Sequence, residues 1–500
     1  MRRGAFSRTQ ACCLALIASF AVAGCTVGPD YLPEAAPTPT HYKELKDWKV
    51  ATPSDSLNRG DWWGLYRDPR LALLIKQVEI SNQTVAAAAA AYEQARAVIR
   101  EAQAALLPTL TGGYSFTRTK TGSAAASAQA GGPVGGGAIY TTTYNPQLSA
   151  AWDIDVWGKV RRQIESNASA AQATKADLDN AKLSAQATLA TAYFNLRAAD
   201  SLHDLLDRTV KEYKKTLDIV RNQFNAGYGP PGSTCCTSAD VATAEAQVFT
   251  TEAQEINVGV QRAQFEHAIA MLIGRPPAEL TIAPRPLTGT IPKIPVAIPS
   301  TLLERRPDIA AAERLVAQAN AQIGIARAAY FPNLTLSAAI GFESSSFTHW
   351  LSWPSRFFSV GPAAAETIFD AGLRRATVQQ YRAQYDETVA NYRQTVLTAF
   401  QQVEDNLASL RILSVEIQYQ DTAVKSAEKS LAIAKDRYSL GIDPYLNVLT
   451  AQTALLSNQQ TAVNLRTQQM TASGGLIEAL GGGWNASQLP SPVQLISKVP

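Results

Sequence analysis

The chain repeats itself, and that constrains its fold more than any other feature. Leu107-Pro108-Thr109-Leu110 recurs as Phe331-Pro332-Asn333-Leu334 at an offset of 224, and Ala95, Ala97, Ile99, Ala102 and Ala105 keep that offset to Ala319, Ala321, Ile323, Ala326 and Ala329. Gly158 and Arg161 recur as Gly372 and Arg375 at an offset of 214, which runs without a gap to Phe224 and Gly227, matched by Tyr438 and Gly441. Val241, Thr243 and Ala244 meet Val448, Thr450 and Ala451 at 207, and Gly274 meets Gly481. The first copy is therefore ten residues longer between Pro108 and Gly158 and seven longer between Gly227 and Val241. The organisation that follows is a first repeat at 71–275, a Pro-rich extended connector at 276–300, a second repeat at 301–482 and a tail at 483–500.

Each repeat has the same order of elements. A helix of moderate length (84–106, then 308–330) precedes strand-like alternation near 108–120 and 139–156, and again near 332–346 and 357–370. The hairpins, 107–157 and 331–371, carry Tyr114, Phe116, Tyr140, Trp152, Phe342, Phe347, Phe357 and Phe358 toward their ends, where the interfacial girdles of a membrane barrel lie. From Lys159 to Phe224 there is neither proline nor glycine, and apolar residues recur in steps of three and four from Leu178 through Leu189, Leu196 and Leu206 to Val220. That is a heptad-like seam on a rod of roughly 100 Å. A matching rod ends at Tyr438, and third helices follow over 239–273 and 446–480. The two shorter helices of a repeat together approach the length of one rod, so they can stack end to end alongside it.

The N-terminus decides the compartment. Arg2, Arg3 and Arg8 precede a short apolar run from Ala11 to Ala23, and Val22-Ala23-Gly24-Cys25 places small residues before a cysteine. The run is too short to span a bilayer and reads as an export signal over 1–24. Its ending resembles the bacterial lipobox, which implies acylation at Cys25, a lipidated extension over 25–70 and, with Thr26 rather than Asp following, delivery to the outer membrane. The acyl chains would hold the new N-terminus in the inner leaflet.

Composition excludes several classes. A formal net charge of +3 without a basic block gives no basis for nucleic-acid binding. His41, His203, His267 and His349 are scattered, and neither a nucleophile–base constellation nor a metal-ligand spacing is visible, so neither an enzyme nor a cofactor beyond the covalent lipid is expected. Asp153 and Asp155, at i and i+2 of a strand, fit polar alternation inside a water-filled barrel better than a catalytic pair. With Cys25 acylated, the exported chain keeps only Cys235 and Cys236 as unmodified cysteines, inside the insertion that begins Gly229-Pro230-Pro231-Gly232. A vicinal disulfide, disulfides between symmetry mates and an inert pair all remain open; a soft-metal site lacks a nearby histidine.

No later apolar run reaches the length of a spanning helix, so a membrane crossing would have to use strands. Four strands per chain cannot close a barrel, and an open edge in lipid leaves backbone groups unsatisfied at several kcal/mol each. Copies of the chain must then complete the wall. Two copies would give about eight strands, an interior filled by side chains, and three would leave an opening.

Trp152-Asp153-Ile154-Asp155-Val156-Trp157-Gly158-Lys159-Val160-Arg161-Arg162 resembles the strand-to-helix signature of TolC-like outer-membrane factors, in particular the NodT-type lipoproteins of RND-type efflux systems. Arg305-Arg306-Pro307-Asp308-Ile309, Tyr330-Phe331-Pro332-Asn333-Leu334 and Phe369-Asp370-Ala371-Gly372-Leu373-Arg374-Arg375 are similar to other motifs of that family. The resemblance implies an α+β membrane protein in which a duplicated helix–β-hairpin–long helix–helix repeat builds an outer-membrane β-barrel, twelve strands in a trimer, continued by a long periplasmic α-helical barrel. It implies three kinds of partner: two more copies of the chain, a periplasmic adaptor, and an inner-membrane RND-type pump. The tips near 227–240 and 441–446, with Gly227 and Gly441 breaking the rods, would meet the adaptor. Leu446 matches the apolar constriction of the multidrug-type relatives, while Thr450 and Thr453 stand where those relatives carry an acidic and a basic residue. A leucine ring there would close the mouth sterically and by dewetting. The competing readings are an exit duct for type I secretion, an envelope tether without a pore, and an envelope hydrolase.

Overall fold

The computed structural model describes residues 26–44, 61–121, 139–227, 237–288, 292, 294 and 302–496. Cys25, the Cys235–Cys236 pair and the Gly/Ala/Ser-rich segment after Thr121 lie outside the described residues.

After a short 3₁₀ turn at Trp62–Tyr66, helix α1 (Pro69–Ser81) leads into α2 (Gln83–Ala104), strands β1 (Thr109–Thr121) and β2 (Ile139–Asp153), the long helix α3 (Lys159–Asn225) and α4 (Ser238–Leu272). The second half gives α5 (Pro307–Ala328), β3 (Asn333–Phe342), β4 (Arg356–Ala365), α6 (Leu373–Ser439) and α7 (Tyr445–Ala479). Corresponding helices have equal lengths: 22 residues in α2 and α5, 67 in α3 and α6, 35 in α4 and α7. At 1.5 Å per residue the 67-residue helices are rods of roughly 100 Å. β3 and β4, at 10 residues each, are shorter than the alternation in the sequence indicated, because the chain between them leaves the sheet in two 3₁₀ turns.

The helices lie side by side in one order. α3 packs against α2 and α4 on one flank and against α5 and α7 on the other, and α6 packs against α5 and α7. The sheet repeats this order as β1-β2-β3-β4, all antiparallel. Each strand continues into the helix of its own column, so the open edges of both layers coincide: β1 with α2 on one side, β4 with α6 on the other. Burial follows position. α3, enclosed on both flanks, buries residues along its whole length, whereas α6 buries few and leaves Leu397, Ile412, Val415 and Tyr419 exposed. On the opposite edge Phe249, Ile256 and Val260 of α4 are exposed as well.

The largest core forms at mid-height. Leu71, Leu74, Ile75 and Val78 of α1 pack with Leu189, Tyr193 and Leu196 of α3, Ile269 and Ile273 at the end of α4, and Val396, Val403 and Leu407 of α6. The segment 26–44 runs across the rods as a strap. Val27 N–H donates to the Trp157 carbonyl at 3.1 Å, Arg162 pairs with Asp30 at 2.8 Å, and Asn320 donates to the Pro29 carbonyl at 3.0 Å. Further along, Tyr385 donates to Glu34 at 2.8 Å, and Glu404 accepts the Lys43 and Glu44 N–H groups at 2.7 and 2.9 Å. Thr26 therefore lies against Gly158, where the sheet meets the helices.

Candidate functional site

The cross-strand register sorts the sheet into two unlike faces. One face presents Leu148, Ile340 and Phe358 in one lateral row and Leu110 in the next, with Tyr114, Phe116 and Tyr144 above them and Trp152 and Leu336 below. Most of these side chains are more than half exposed, Phe358 at 79%. The other face carries Thr109, Thr111, Ser115, Thr117, Thr141, Thr143, Asn145, Gln147, Ser149, Thr335 and Ser337. Its hydroxyls bond across strands: Thr111 with Ser149 at 2.7 Å, and Thr335 donating to the Asp153 carboxylate at 2.6 Å. A sheet apolar on one exposed face and hydrogen-bonding on the other is what a wall between lipid and a water-filled bore requires. Phe357 departs from its expected place among the girdle aromatics, because its parity sets it on the hydroxyl-lined face beside Gly341.

Asp155 also departs from the alternation. β2 ends at Asp153, and the Asp155 carboxylate accepts from Val160 and Arg161 N–H at 3.0 and 2.9 Å, capping α3. Four donors at a helix start are orphaned, and a carboxylate there gains from them and from the helix dipole. Asp370 does the same for α6, accepting from Gly372 and Arg374 N–H at 3.0 and 3.1 Å, with its carboxyl held below the ordinary range by the Arg374 guanidinium.

At the far end of the rods the chain reverses through left-handed Gly227 and Gly441, φ +62° and +73°. Leu446, Thr450 and Thr453 lie on one exposed face of α7, opposite buried Val448 and Gln452. Leu446 is 62% exposed, and the threonine hydroxyls donate back to their own helix: Thr450 to the Leu446 carbonyl at 2.8 Å and Thr453 to that of Leu449 at 3.0 Å. This face is uncharged and leaves the leucine as its outermost apolar group. Beside this face Asp443 is paired. Arg437 clamps it through two bonds of 2.6 and 2.9 Å across the α6–α7 turn, which holds the Asp443 pKa down and pushes that of Arg437 up.

The sequence reading missed how the two helix pairs are joined here. Tyr213, Leu217 and Val220 of α3 pack with Val248 of α4, Tyr438 of α6 and Tyr445 and Val448 of α7. The Tyr213 hydroxyl donates to the Gln452 carbonyl at 3.1 Å, and the Gln452 side chain donates to Thr216 at 3.3 Å. Burial pushes Tyr445 up to about 12 and raises Tyr213 as well, so both phenols stay neutral and Tyr213 keeps its proton to donate. Gln452 is 2% exposed, a glutamine at a seam position, and that polar break in an apolar stripe is the only signal that pointed to it.

These features define a class: an outer-membrane channel component mounted on long periplasmic helices. The sequence model of the family described as "Outer membrane efflux protein" matches residues 74–275 and 298–482, and the chain belongs to that family. The probable efflux pump outer membrane protein TtgC of Pseudomonas putida is 30% identical over 478 residues, covering 94% of this chain and 94% of the relative. The pyoverdine export outer membrane protein OpmQ of Pseudomonas aeruginosa is 29% identical over 477 residues, covering 95% and 98%. Among solved structures, the outer-membrane channel OprN superposes with a TM-score of 0.83 at 28% identity over 92% of this chain and all of that one. The open-state MtrE channel of Neisseria gonorrhoeae gives 0.80 at 28% identity, covering 92% and 99%. The protein is a TolC-like channel component of an efflux system, set in the outer membrane with a periplasmic helical extension. Its family is one of transport components rather than enzymes.

Proposed function

We propose that three copies of this chain close into a twelve-stranded barrel continued by a twelve-helix periplasmic tunnel. The assembly forms the passive, gated exit duct of a tripartite pump. The observation that carries this reading is the coincidence of open edges. β1 and α2 end the segment on one side and β4 and α6 on the other, so the contact that closes the sheet also closes the helical layer. Exposed Phe249 and Ile256 on one edge and Leu397 and Ile412 on the other are the apolar surface such closure buries. Three copies rather than two follow from the bore, since eight strands are filled by their own side chains.

The duct needs no energy source of its own. An inner-membrane RND-type pump supplies the work, and a periplasmic adaptor joins the tips around Gly227 and Gly441. Leu446 forms an apolar ring at the periplasmic mouth, with Thr450 and Thr453 as neutral neighbours, so the gate closes by dewetting rather than by ion pairing. The lipid on Cys25 anchors the trimer; the contact of the neighbouring Thr26 with Gly158, where the sheet meets the helices, supports an anchor on the membrane side of the tunnel. The repeats 71–275 and 301–482 each contribute one hairpin, one rod and one stacked helix pair to the wall.

Conductance in planar bilayers tests the reading. The purified oligomer should show a low basal conductance that rises several-fold with Leu446→Ala. A trimer that passes no current even with that change would overturn the duct, and a stable monomer or dimer would overturn the closure.

A further inference from the structure

The outer ends of the strands carry chemistry that conduction does not use. Arg118 and Lys120 of β1 lie over the Tyr140 ring at 5.4 and 5.7 Å, and Arg356, the first residue of β4, lies over Trp353 at 3.9 Å. The ladder sets all three cations on the apolar face, in the rows beyond Phe116 and Phe358. The only acid within the four described strands, Asp153, is on the opposite face at the other end.

The chain between β3 and β4 does not stand away from the sheet. Ser344 exchanges two backbone hydrogen bonds with Tyr144, at 2.9 and 3.1 Å, in register with the β2–β3 ladder, so that pairing carries on two residues past Phe342. Phe347 and Trp350 stack at 5.6 Å and 15°, Trp350 meets Tyr114 edge-on at 5.4 Å, and Phe347 meets Tyr144 at 5.6 Å. An aromatic shelf is thereby built on the outer surface of the wall, while Leu351 and Trp353 remain 58% and 72% exposed. Aromatic rings settle where acyl chains give way to headgroups. Guanidinium groups resting on such rings stay accessible for bidentate bonds to phosphate.

We propose that this rim binds the phosphorylated glycolipid of the outer leaflet, lipid A. The phosphates sit on Arg118, Lys120 and Arg356 and the acyl chains lie along the row of Leu148, Ile340 and Phe358. Charge complementarity selects the occupant: three cations share the apolar face at its outer end, where phosphate is borne by the glycolipid, while the exposed acid of this rim, Glu343, pairs with Ser355 and takes the opposite parity. The two cation groups are at opposite edges of one chain, so the full site rests on the closure proposed above, which brings Arg356 of one copy beside Arg118 and Lys120 of the next. The site then also bridges the β4–β1 seam, the one place where the barrel is not a single chain.

Native mass spectrometry of the full-length oligomer, released from detergent in the presence of one defined lipid, tests this. Bis-phosphorylated lipid A, dephosphorylated lipid A and phosphatidylglycerol serve as the three probes. Bis-phosphorylated lipid A should bind wild type at least about tenfold more tightly than the R118Q/K120Q/R356Q variant, and dephosphorylated lipid A should bind wild type as weakly as the variant binds the intact lipid. Lys425→Gln with Lys429→Gln, on the periplasmic α6, should leave binding unchanged. Wild-type affinity in the triple variant, or equal binding of phosphatidylglycerol, overturns the proposal. The same spectra report oligomeric mass, so a failure of closure shows as loss of the oligomer and not as loss of lipid from an intact one.

Discussion

The side-chain amide of Asn82 donates to the carbonyl oxygen of Leu272 at 2.7 Å, joining the residue before α2 to the last residue of α4. The Asn82 side-chain oxygen meanwhile accepts from Val85 N–H at 3.0 Å, so one residue caps two helices. Arg306 occupies the same place in the second half, donating to the Ala479 carbonyl at 2.9 Å. Two stacked helices thus run beside each rod as one column, and Gly274 and Gly481 make room for the joint. A Cβ on Gly274 would lie 2.0 Å from the Ser81 carbonyl oxygen, and one on Gly481 1.8 Å from that of Arg305.

The joint should therefore be sensitive to small changes. Asn82→Ala removes a cap and leaves the Leu272 carbonyl unsatisfied, a loss of about 1–2 kcal/mol. Gly274→Ala adds a clash with backbone at a φ of +67°, and should cost more, about 2–4 kcal/mol. Thermal unfolding followed by circular dichroism should rank the variants wild type, Asn82→Ala, Gly274→Ala in falling order. Equal midpoints would show that the columns are not coupled through this joint.

The Tyr213–Gln452–Thr216 contacts tie α3 to α7 just behind the face that carries Leu446. Gln452→Leu keeps the volume and deletes the side-chain bond, worth about 1 kcal/mol, so the open population should rise about fivefold. Arg437→Ala, which releases Asp443, should act in the same direction by loosening the α6–α7 turn. Single-channel open probability is the readout, and an unchanged value in both variants would place the restraint elsewhere.

Adjacent residues on β2 should respond oppositely to charge. Leu148 faces the apolar side and Gln147 the hydroxyl-lined side. Leu148→Arg near the bilayer midplane should cost about 2–4 kcal/mol and impair folding into vesicles. Gln147→Arg should fold normally and shift ion selectivity toward anions. Reversal of the two outcomes would invert the assignment of lipid and bore.

Glu478 lines a cavity of about 420 Å³ together with Arg306, Asp308 and Gln402, and burial raises its pKa above the ordinary 4.5. Below 4.5 the carboxyl is protonated whether the chain is folded or not, and nothing is lost. As pH rises from there through the elevated folded pKa, the folded state resists ionisation and stability falls. Glu478→Gln removes that dependence. Melting temperatures of wild type and variant should coincide at the acid end and diverge upward across that window, with the variant higher. A constant difference would assign the effect to packing.

The helical skeleton was legible because its signals are local. Proline and glycine cannot sit inside a rod without cost, so their absence from Lys159 to Asn225, and again from Leu373 to Ser439, marks both long helices. Gly227, Gly274, Gly441 and Gly481 mark the ends because all four adopt positive φ. Local periodicity failed where a strand hands over to a helix: Asp155 continues the alternation of β2 in sequence yet caps α3, since helix N–H groups compete for its carboxylate once the chain turns. It failed again at Phe357, whose type fits a girdle but whose face depends on strand register.

By itself, then, the sequence determined the order and approximate length of the three helices in each repeat and the presence of both hairpins, though not helix α1, and through the four strands the need for further copies. Those properties follow from backbone conformational preference and from the period of apolar residues, both of which act within a few residues of each other. Only the tertiary structure decided which column lies inside and which at the edge. α3 and α6 are equal in length and similar in pattern, yet α3 is buried on both flanks and α6 waits on one. Only it laid the 26–44 strap along the rods and joined Tyr213 to Gln452 across 239 positions of sequence. Such contacts are set by which faces meet once the rods pack, and no residue carries that information alone.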